Sequence, residues 1–246
     1  MIKLENLNIV GLESAIRGMR NPKNSWLQSD SGYGCDGTKC IECTYNNNWC
    51  GRTPKYLIGE KDIDLMKRLA KGGSVHAKYR RMIVVYVDIT MPTYVWAEFD
   101  TYKVGTVRNS CSFMHKGTSK PFEIVDFSFD EEEIKNMFNN ICTDWHEAGS
   151  YIERHSKTWS RVIEELNELR GLYLKTKDDR VFQLIRRLLP SGYNLRATVM
   201  LNYENLSAMY HDRKNHRLDE WRAFCKWIEK LPYSELITMR KEQNDE

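Results

Sequence analysis

Apolar residues recur along this chain with two periods. Leu12, Ala15, Ile16 and Met19 have helical spacing, so the stretch up to about Trp26 reads as a short strand followed by a helix, which Asn21-Pro22 ends. A second amphipathic helix is predicted over 60–72, with Ile63, Met66, Leu69 and Ala70 on one face and Gly72-Gly73 closing it. Ile83 to Ile89 is a run of β-branched and aromatic residues and reads as a strand buried on both faces. Thr90-Met91-Pro92-Thr93 then starts a helix carrying Val95, Trp96 and Phe99. From Phe129 onward the period is helical. Asp130-Glu131-Glu132-Glu133 suits the positive end of a helix dipole, and Trp159, Val162, Ile163, Leu166 and Leu169 form one apolar stripe. Val181 to Leu189 is a helix ended by Pro190. Met200 to about Lys230 holds one or two more, with Trp221, Phe224, Cys225, Ile228 and Leu231 facing a core. Strands near the front, helices throughout and helices alone at the back indicate the α+β class, a small sheet packed with several long helices.

Two segments break this pattern. Residues 102–120 are polar and turn-like. Residues 29–55 are rich in Ser, Asp, Gly and Asn, form a predicted loop of roughly 25 residues, and hold four of the seven cysteines. Cys35, Cys40, Cys43 and Cys50 are separated by four, two and six residues; four thiolates so placed suit a tetrahedral zinc site, and an iron–sulfur cluster uses the same ligands. Unligated thiols are the plain alternative. Gly32-Tyr33-Gly34-Cys35-Asp36-Gly37 matches the dinucleotide fingerprint in letters alone, because no strand precedes it and no helix follows.

With 246 residues the chain is read as a single domain over 1–246, with the Cys-rich segment as an insertion. Lys and Arg number 37 against 34 Asp and Glu, a balance that argues against a binder of bulk nucleic acid. The longest apolar run, Ile83 to Val87, is far short of a membrane span, and Met1 to Val10 lacks the marks of a signal peptide. These features predict a protein of the cytoplasm. Toward the C-terminus, His211 to Arg217 is polar on a predicted helix, where Arg213 and Arg217 would share a face and hold a phosphate or a pyrimidine carbonyl. A solvated helix face is the alternative. Cys111 and Ser112 follow Lys103 and Arg108, with no His or Asp partner close in sequence for a nucleophile.

Taken together, these segments resemble the flavin-dependent thymidylate synthases. The family's order of helix, Gly-His segment, buried strand, Pro-started helix, Arg-His-Arg motif and Ser-rich nucleotide turn matches His76 to Met114 without a gap. Ile185-Arg186-Arg187-Leu188-Leu189-Pro190 is similar to the family's Ala-Arg-x-x-Leu-Pro. The resemblance implies that Arg186 anchors deoxyuridylate, that Arg213 is the catalytic residue polarising the uracil, and that Cys111 and Ser112 lie in the nucleotide turn. It also implies that His76, Lys103, Asn202 and Arg217 contact the flavin. FAD, a folate one-carbon donor, NADPH and a homotetramer are implied with it, the chemistry being methylation of a deoxyuridine nucleotide. The chain departs from the pattern where Arg-His-Arg becomes Thr101-Tyr102-Lys103 and where the turn's Arg becomes Phe113, so the flavin-phosphate grip is altered. Those departures favour a second expectation, a non-catalytic nucleotide-binding or sequestering protein on the same scaffold with a structural metal at the cysteines. A third is an interaction protein that meets a partner through the Cys-rich segment.

Overall fold

The computed structural model describes residues 2–34, 55–113 and 117–239. The chain runs β1 (Lys3–Val10), α1 (Leu12–Arg20), β2 (Gly32–Gly34), β3 (Lys55–Leu57), α2 (Glu60–Lys71), β4 (Val84–Pro92), α3 (Thr93–Phe99), β5 (Val107–Ser110), α4 (Glu131–Ile141), α5 (Trp145–Thr176), α6 (Asp179–Leu188), β6 (Asn194–Asn202), α7 (Tyr203–Arg213), α8 (Asp219–Ile228) and α9 (Glu235–Thr238). A short 3-10 helix, Lys78–Met82, leads into β4. The larger sheet has the order β1-β4-β6-β5, and β2 pairs antiparallel with β3, Gly34 opposite Lys55. This is the α+β class that the hydrophobic pattern predicts. No helix among the described residues is long and apolar enough to cross a membrane.

The chain divides into two compact units. The first comprises 1–5, 88–101 and 108–198. Its 32-residue helix α5 packs against α4 and α6. Asp130 and Asp144 cap the N-termini of α4 and α5 by accepting from Glu132, Glu133 and His146 backbone N–H groups. The core is an aromatic cluster of Phe113, Phe122, Phe127 and Phe182 with Leu166 and Ile185. The predicted stripe Trp159, Val162, Ile163 and Leu169 packs on it.

The second unit comprises 6–87, 102–107 and 199–239 of the described chain. Here α7 packs against α8, α9 and the 3-10 helix at Lys78–Met82. The backbone N–H of Tyr203, first residue of α7, donates to the Ile83 carbonyl at 3.1 Å. One polar network lies inside. Arg20 Nε donates to Asp62 Oδ1 at 2.6 Å, and Ser29 and Ser31 hydroxyls both donate to Asp62 Oδ2 at 2.6 Å. Asp30 accepts from the Lys61 and Asp62 backbone N–H groups at the start of α2. The approach is so close that a Cβ on Gly59 would stand 2.2 Å from Asp30 Cγ.

Several local expectations are corrected. β4 buries Val85, Val87, Ile89 and Met91 on one face, while Tyr86 is exposed. Asp88 on that other face accepts from Arg196 at 2.8 Å and Thr198 at 2.6 Å, so the strand is covered on one side by core and carries polar pairs on the other. The back of the chain is not helical alone, since β6 lies there with Ala197, Val199 and Leu201 buried in alternation. The polar stretch 102–120 contains β5, and the ends of the predicted 29–55 loop form the β2–β3 pair.

Candidate functional site

The turn from β6 into α7 organises a cavity in the second unit. Asn202 is the N-cap of α7: its side chain accepts from the Asn205 N–H at 3.0 Å, and the Asn205 side chain accepts from the Asn202 N–H at 3.2 Å. Asn205 Nδ2 then donates to the Val104 carbonyl at 2.7 Å, which pins the 102–107 segment to the helix start. Gly105 allows this approach. Its φ is +80°, and a Cβ there would lie 3.2 Å from Asn202 Nδ2 and Asn205 Oδ1. From the opposite chain direction, the 3-10 helix turns Tyr79 and Arg80 inward. The Tyr79 hydroxyl donates to the Met66 carbonyl at 2.8 Å, and burial pushes this phenol up to about 12 against the opposing influence of Arg80.

The cavity has a volume of about 1000 Å³, at the upper end for small-molecule sites. Ser74, Arg80, Asn202, Glu204, Asn205 and His211 supply its polar wall, with Val104 and Gly105 beside them. Arg80 is 3% exposed. Its Nη1 lies 3.5 Å from Ser207 Oγ and 3.7 Å from Glu204 Oε2, contacts at or beyond the limit of a hydrogen bond. Arg80 Nε and Nη2 and Glu204 Oε2 have no hydrogen-bond partner among the described residues. The wall therefore presents a buried cation, a nearby carboxylate, two carboxamides and a helix N-terminus, a set suited to a ligand carrying an oxyanion and hydroxyl or amide groups.

Of the residues singled out in the sequence, Asn202 lines this cavity. His76 is exposed in the turn before the 3-10 helix, two residues after the cavity residue Ser74, and Lys103 is exposed next to Val104. Arg213 closes α7 and is held elsewhere in the same unit. Its Nε donates to the Tyr102 hydroxyl at 2.9 Å, its Nη1 meets His216 Nε2 at 2.9 Å, and its guanidinium lies 4.8 Å from the Trp221 ring centre. Burial raises the Tyr102 phenol, while Arg213 pulls it down. Arg217 is exposed in the turn after α7, so Arg213 and Arg217 do not share a helical face as their spacing predicts; the helix ends at Arg213.

Arg186, Cys111 and Ser112 belong to the first unit. Arg186 is exposed on α6 with its guanidinium 4.9 Å from the Phe113 ring centre, Cys111 is an exposed free thiol, and Ser112 is half-buried. Cys35, Cys40, Cys43 and Cys50 lie outside the described residues, and among the described residues no group of three or more His, Cys, Asp or Glu is placed to hold a metal. Sequence reasoning passed over Arg80, Glu204 and Asn205. The one signal for Arg80 was a basic pair, Arg80-Arg81, set directly against an apolar strand.

No known protein family matches the sequence, and no curated protein matches it by sequence. Solved structures do match the fold. A flavin-dependent thymidylate synthase of Helicobacter pylori complexed with FAD and dUMP superposes with a TM-score of 0.60 at 14% identity, covering 95% of this chain and 98% of that one. A second structure of the Helicobacter pylori enzyme with the same two ligands gives 0.58 at 13% identity, covering 97% and 98%. The chain thus shares the fold of these thymidylate synthase X structures, at an identity that speaks for the fold alone.

Proposed function

We propose that this protein is a flavin-dependent one-carbon transferase acting on a deoxyuridine nucleotide. The observation that carries this reading is the place of Asn202. The residue that the resemblance assigns to flavin contact stands on the wall of a large cavity in a fold shared with enzymes solved with FAD and dUMP. The residues present fit a flavin nucleotide, because the wall sets the carboxamides of Asn202 and Asn205 and the charged residues Arg80 and Glu204 within a largely apolar surface. Asn202, Asn205 and Arg80 would hold it, with Lys103 at the rim. Reduced FAD, when bound, supplies the electrons that convert the added carbon to a methyl group.

The chain's own groups then bind and polarise. Arg213, fixed by Tyr102, His216 and Trp221, is a preorganised cation of the kind that stabilises charge developing on a ring carbonyl. Arg186 on α6 would grip the nucleotide phosphate, with Cys111 and Ser112 contributing polar groups. A folate donor, NADPH and a homotetrameric assembly complete the proposal by resemblance.

Purified protein should carry, or take up, FAD with its oxidised absorption bands, and should release tritium from deoxyuridylate labelled at C5 when given methylene-folate and NADPH. A colourless protein that cannot be reconstituted overturns the reading. A second reading, nucleotide binding without turnover, is favoured by the Arg213 hydrogen bonds to Tyr102 and His216, which suit a structural residue. Deoxyuridylate binding with no tritium release selects it. Elemental analysis of the same sample decides whether zinc or iron accompanies the cysteines.

A further inference from the structure

The charged residues of this cavity are not equally available to a ligand. Arg80 Nη1 lies 3.7 Å from Glu204 Oε2, and the atoms of the two side chains that lack hydrogen bonds are sealed from solvent. Their opposite charges offset one another within the wall. Arg81 differs on each count. It lines the same cavity, it is exposed, and no hydrogen bond or ion pair among the described residues engages its guanidinium. It is the accessible cation on the solvent-facing side of the cavity.

Two further groups on the wall are uncommitted, and both can donate. Ser74 is exposed, and no hydrogen bond among the described residues engages its hydroxyl. Asn202 commits its side-chain oxygen to the Asn205 N–H, while its Nδ2 has no partner among the described residues and is not among the sealed polar atoms. Asn205, by contrast, is occupied at both ends: its Nδ2 donates to the Val104 carbonyl, and its Oδ1 accepts from the Asn202 N–H. A guanidinium, a hydroxyl and a carboxamide amino group therefore remain for a ligand. An anion rich in acceptors matches that set. Phosphate oxygens accept from all three, and the planar guanidinium can take two of them at once. A bare phosphate would leave most of the roughly 1000 Å³ unfilled, so the volume suits an anion carried on a body of nucleotide size.

We infer that Arg81 takes a phosphate group of a bound nucleotide, with Ser74 and Asn202 Nδ2 as supporting donors. The inference deepens the flavin-nucleotide reading and rests on it for the ligand's identity, while the anion subsite itself stands on Arg81.

The test is calorimetric titration of ADP, adenosine, FAD and riboflavin into wild type, Arg81→Gln, Arg81→Lys and Arg68→Gln. Arg68 is also an exposed arginine of this unit, but it does not line the cavity, so it controls for bulk charge. Wild type should prefer ADP over adenosine and FAD over riboflavin. At low salt Arg81→Gln should weaken ADP and FAD by about ten- to a hundredfold, the scale of a lost charge-assisted pair, and leave adenosine and riboflavin unchanged. The gap should narrow at about 0.5 M salt, because an exposed charge is screened. Arg81→Lys should recover only part of the loss, since a point charge lacks the planar edge. Arg68→Gln should bind all four as wild type does. Without ligand, Arg81→Gln should melt as wild type does, because its side chain is exposed and holds nothing together.

An Arg81→Gln variant that binds ADP and FAD as wild type does overturns the inference and leaves the flavin reading standing. So does an Arg68→Gln variant that weakens them as much as Arg81→Gln. Arg81-dependent binding of ADP with no binding of either flavin keeps the inference and overturns the flavin reading. A wild type that binds neither ADP nor FAD overturns both.

Discussion

Two buried arginines in one unit meet the cost of a buried charge in opposite ways. Arg20 is 4% exposed and fully engaged: Nε to Asp62, Nη1 to the Ser25 carbonyl at 3.1 Å and Nη2 to the Gln28 carbonyl at 3.2 Å. Its role ends inside the fold. Removing Asp62 leaves that cation uncompensated, so Asp62→Ala should cost about 3–5 kcal/mol in denaturant unfolding. Burial pushes the Asp62 carboxyl up, but the hydrogen bonds from Ser29, Ser31 and Arg20 and the charge of Arg20 outweigh it and hold the group below its ordinary value. A depressed folded pKa contributes stability that is complete above the unfolded pKa and is lost as pH falls through the folded one. Wild type should therefore shed this stability from about pH 4 downward. Asp62→Asn, less stable at neutral pH, should lack that part of the acid slope. Gly105 offers a second residue-scale check. Alanine there meets both a φ of +80° and the Asn202 and Asn205 side chains, so Gly105→Ala should cost about 1–3 kcal/mol and weaken cavity ligands as well.

At the scale of elements, the start of α7 serves both fold and site, and the two roles of Asn202 can be separated. Its side-chain oxygen caps the helix by accepting from Asn205 N–H. Asn202→Asp keeps an acceptor, and its charge suits a helix N-terminus. It also removes the Nδ2 donor from the cavity wall and adds a negative charge beside the oxyanion subsite. The expected outcome is a melting temperature close to wild type with FAD or ADP affinity reduced by tenfold or more. Asn202→Ala should lose about 1 kcal/mol as well as affinity. Elements with strong periodicity were legible in the sequence: α1, α2, α5, α6 and α8 lie where their apolar spacing puts them. β5 was not, because Val107-Arg108-Asn109-Ser110 carries one apolar residue and is a strand through its neighbours in the sheet. β6 was hidden for a related reason, since Ala197 is a weak strand signal and Arg196 and Thr198 alternate with it as any polar stretch would. The inward turn of Arg80 was equally silent. Arg80 and Arg81 are identical in sequence terms, and only the 3-10 turn that also buries Tyr79 decides that one faces in and the other out.

For the molecule as a whole, ligand binding and stability are linked. A ligand that binds only the folded chain, present at a hundredfold over its Kd, adds about 2.7 kcal/mol. For a chain of this size that is a rise in Tm of about 5–10 °C. FAD or ADP should produce this shift in wild type and much less of it in Arg81→Gln, in a thermal melt followed by circular dichroism. The first unit supplies a contrast through its core. Phe127 is 2% exposed and sits 5.1 Å, centre to centre, from the Trp159 ring and 5.7 Å from that of Tyr193. Phe127→Ala should cost about 3–5 kcal/mol by leaving a cavity. Part of that loss should be invisible to ADP titration at a temperature where the variant remains folded.

The β2–β3 pair has a consequence for how freely this protein can be edited. Gly34 and Lys55 face each other as hydrogen-bonded strand partners, and Asp30, Ser29 and Ser31 tie the incoming strand to α2. Both ends of the interval 35–54 are therefore held at a fixed, short separation by residues outside it. The entropy of closing a loop between two such fixed ends changes only slowly with the loop's length. A short Asn-Gly turn grafted in place of residues 35–54 would join Gly34 to Lys55 in the antiparallel register they already hold. It would also yield a cysteine-poor chain on which any function of Cys35, Cys40, Cys43 and Cys50 can be measured by its loss.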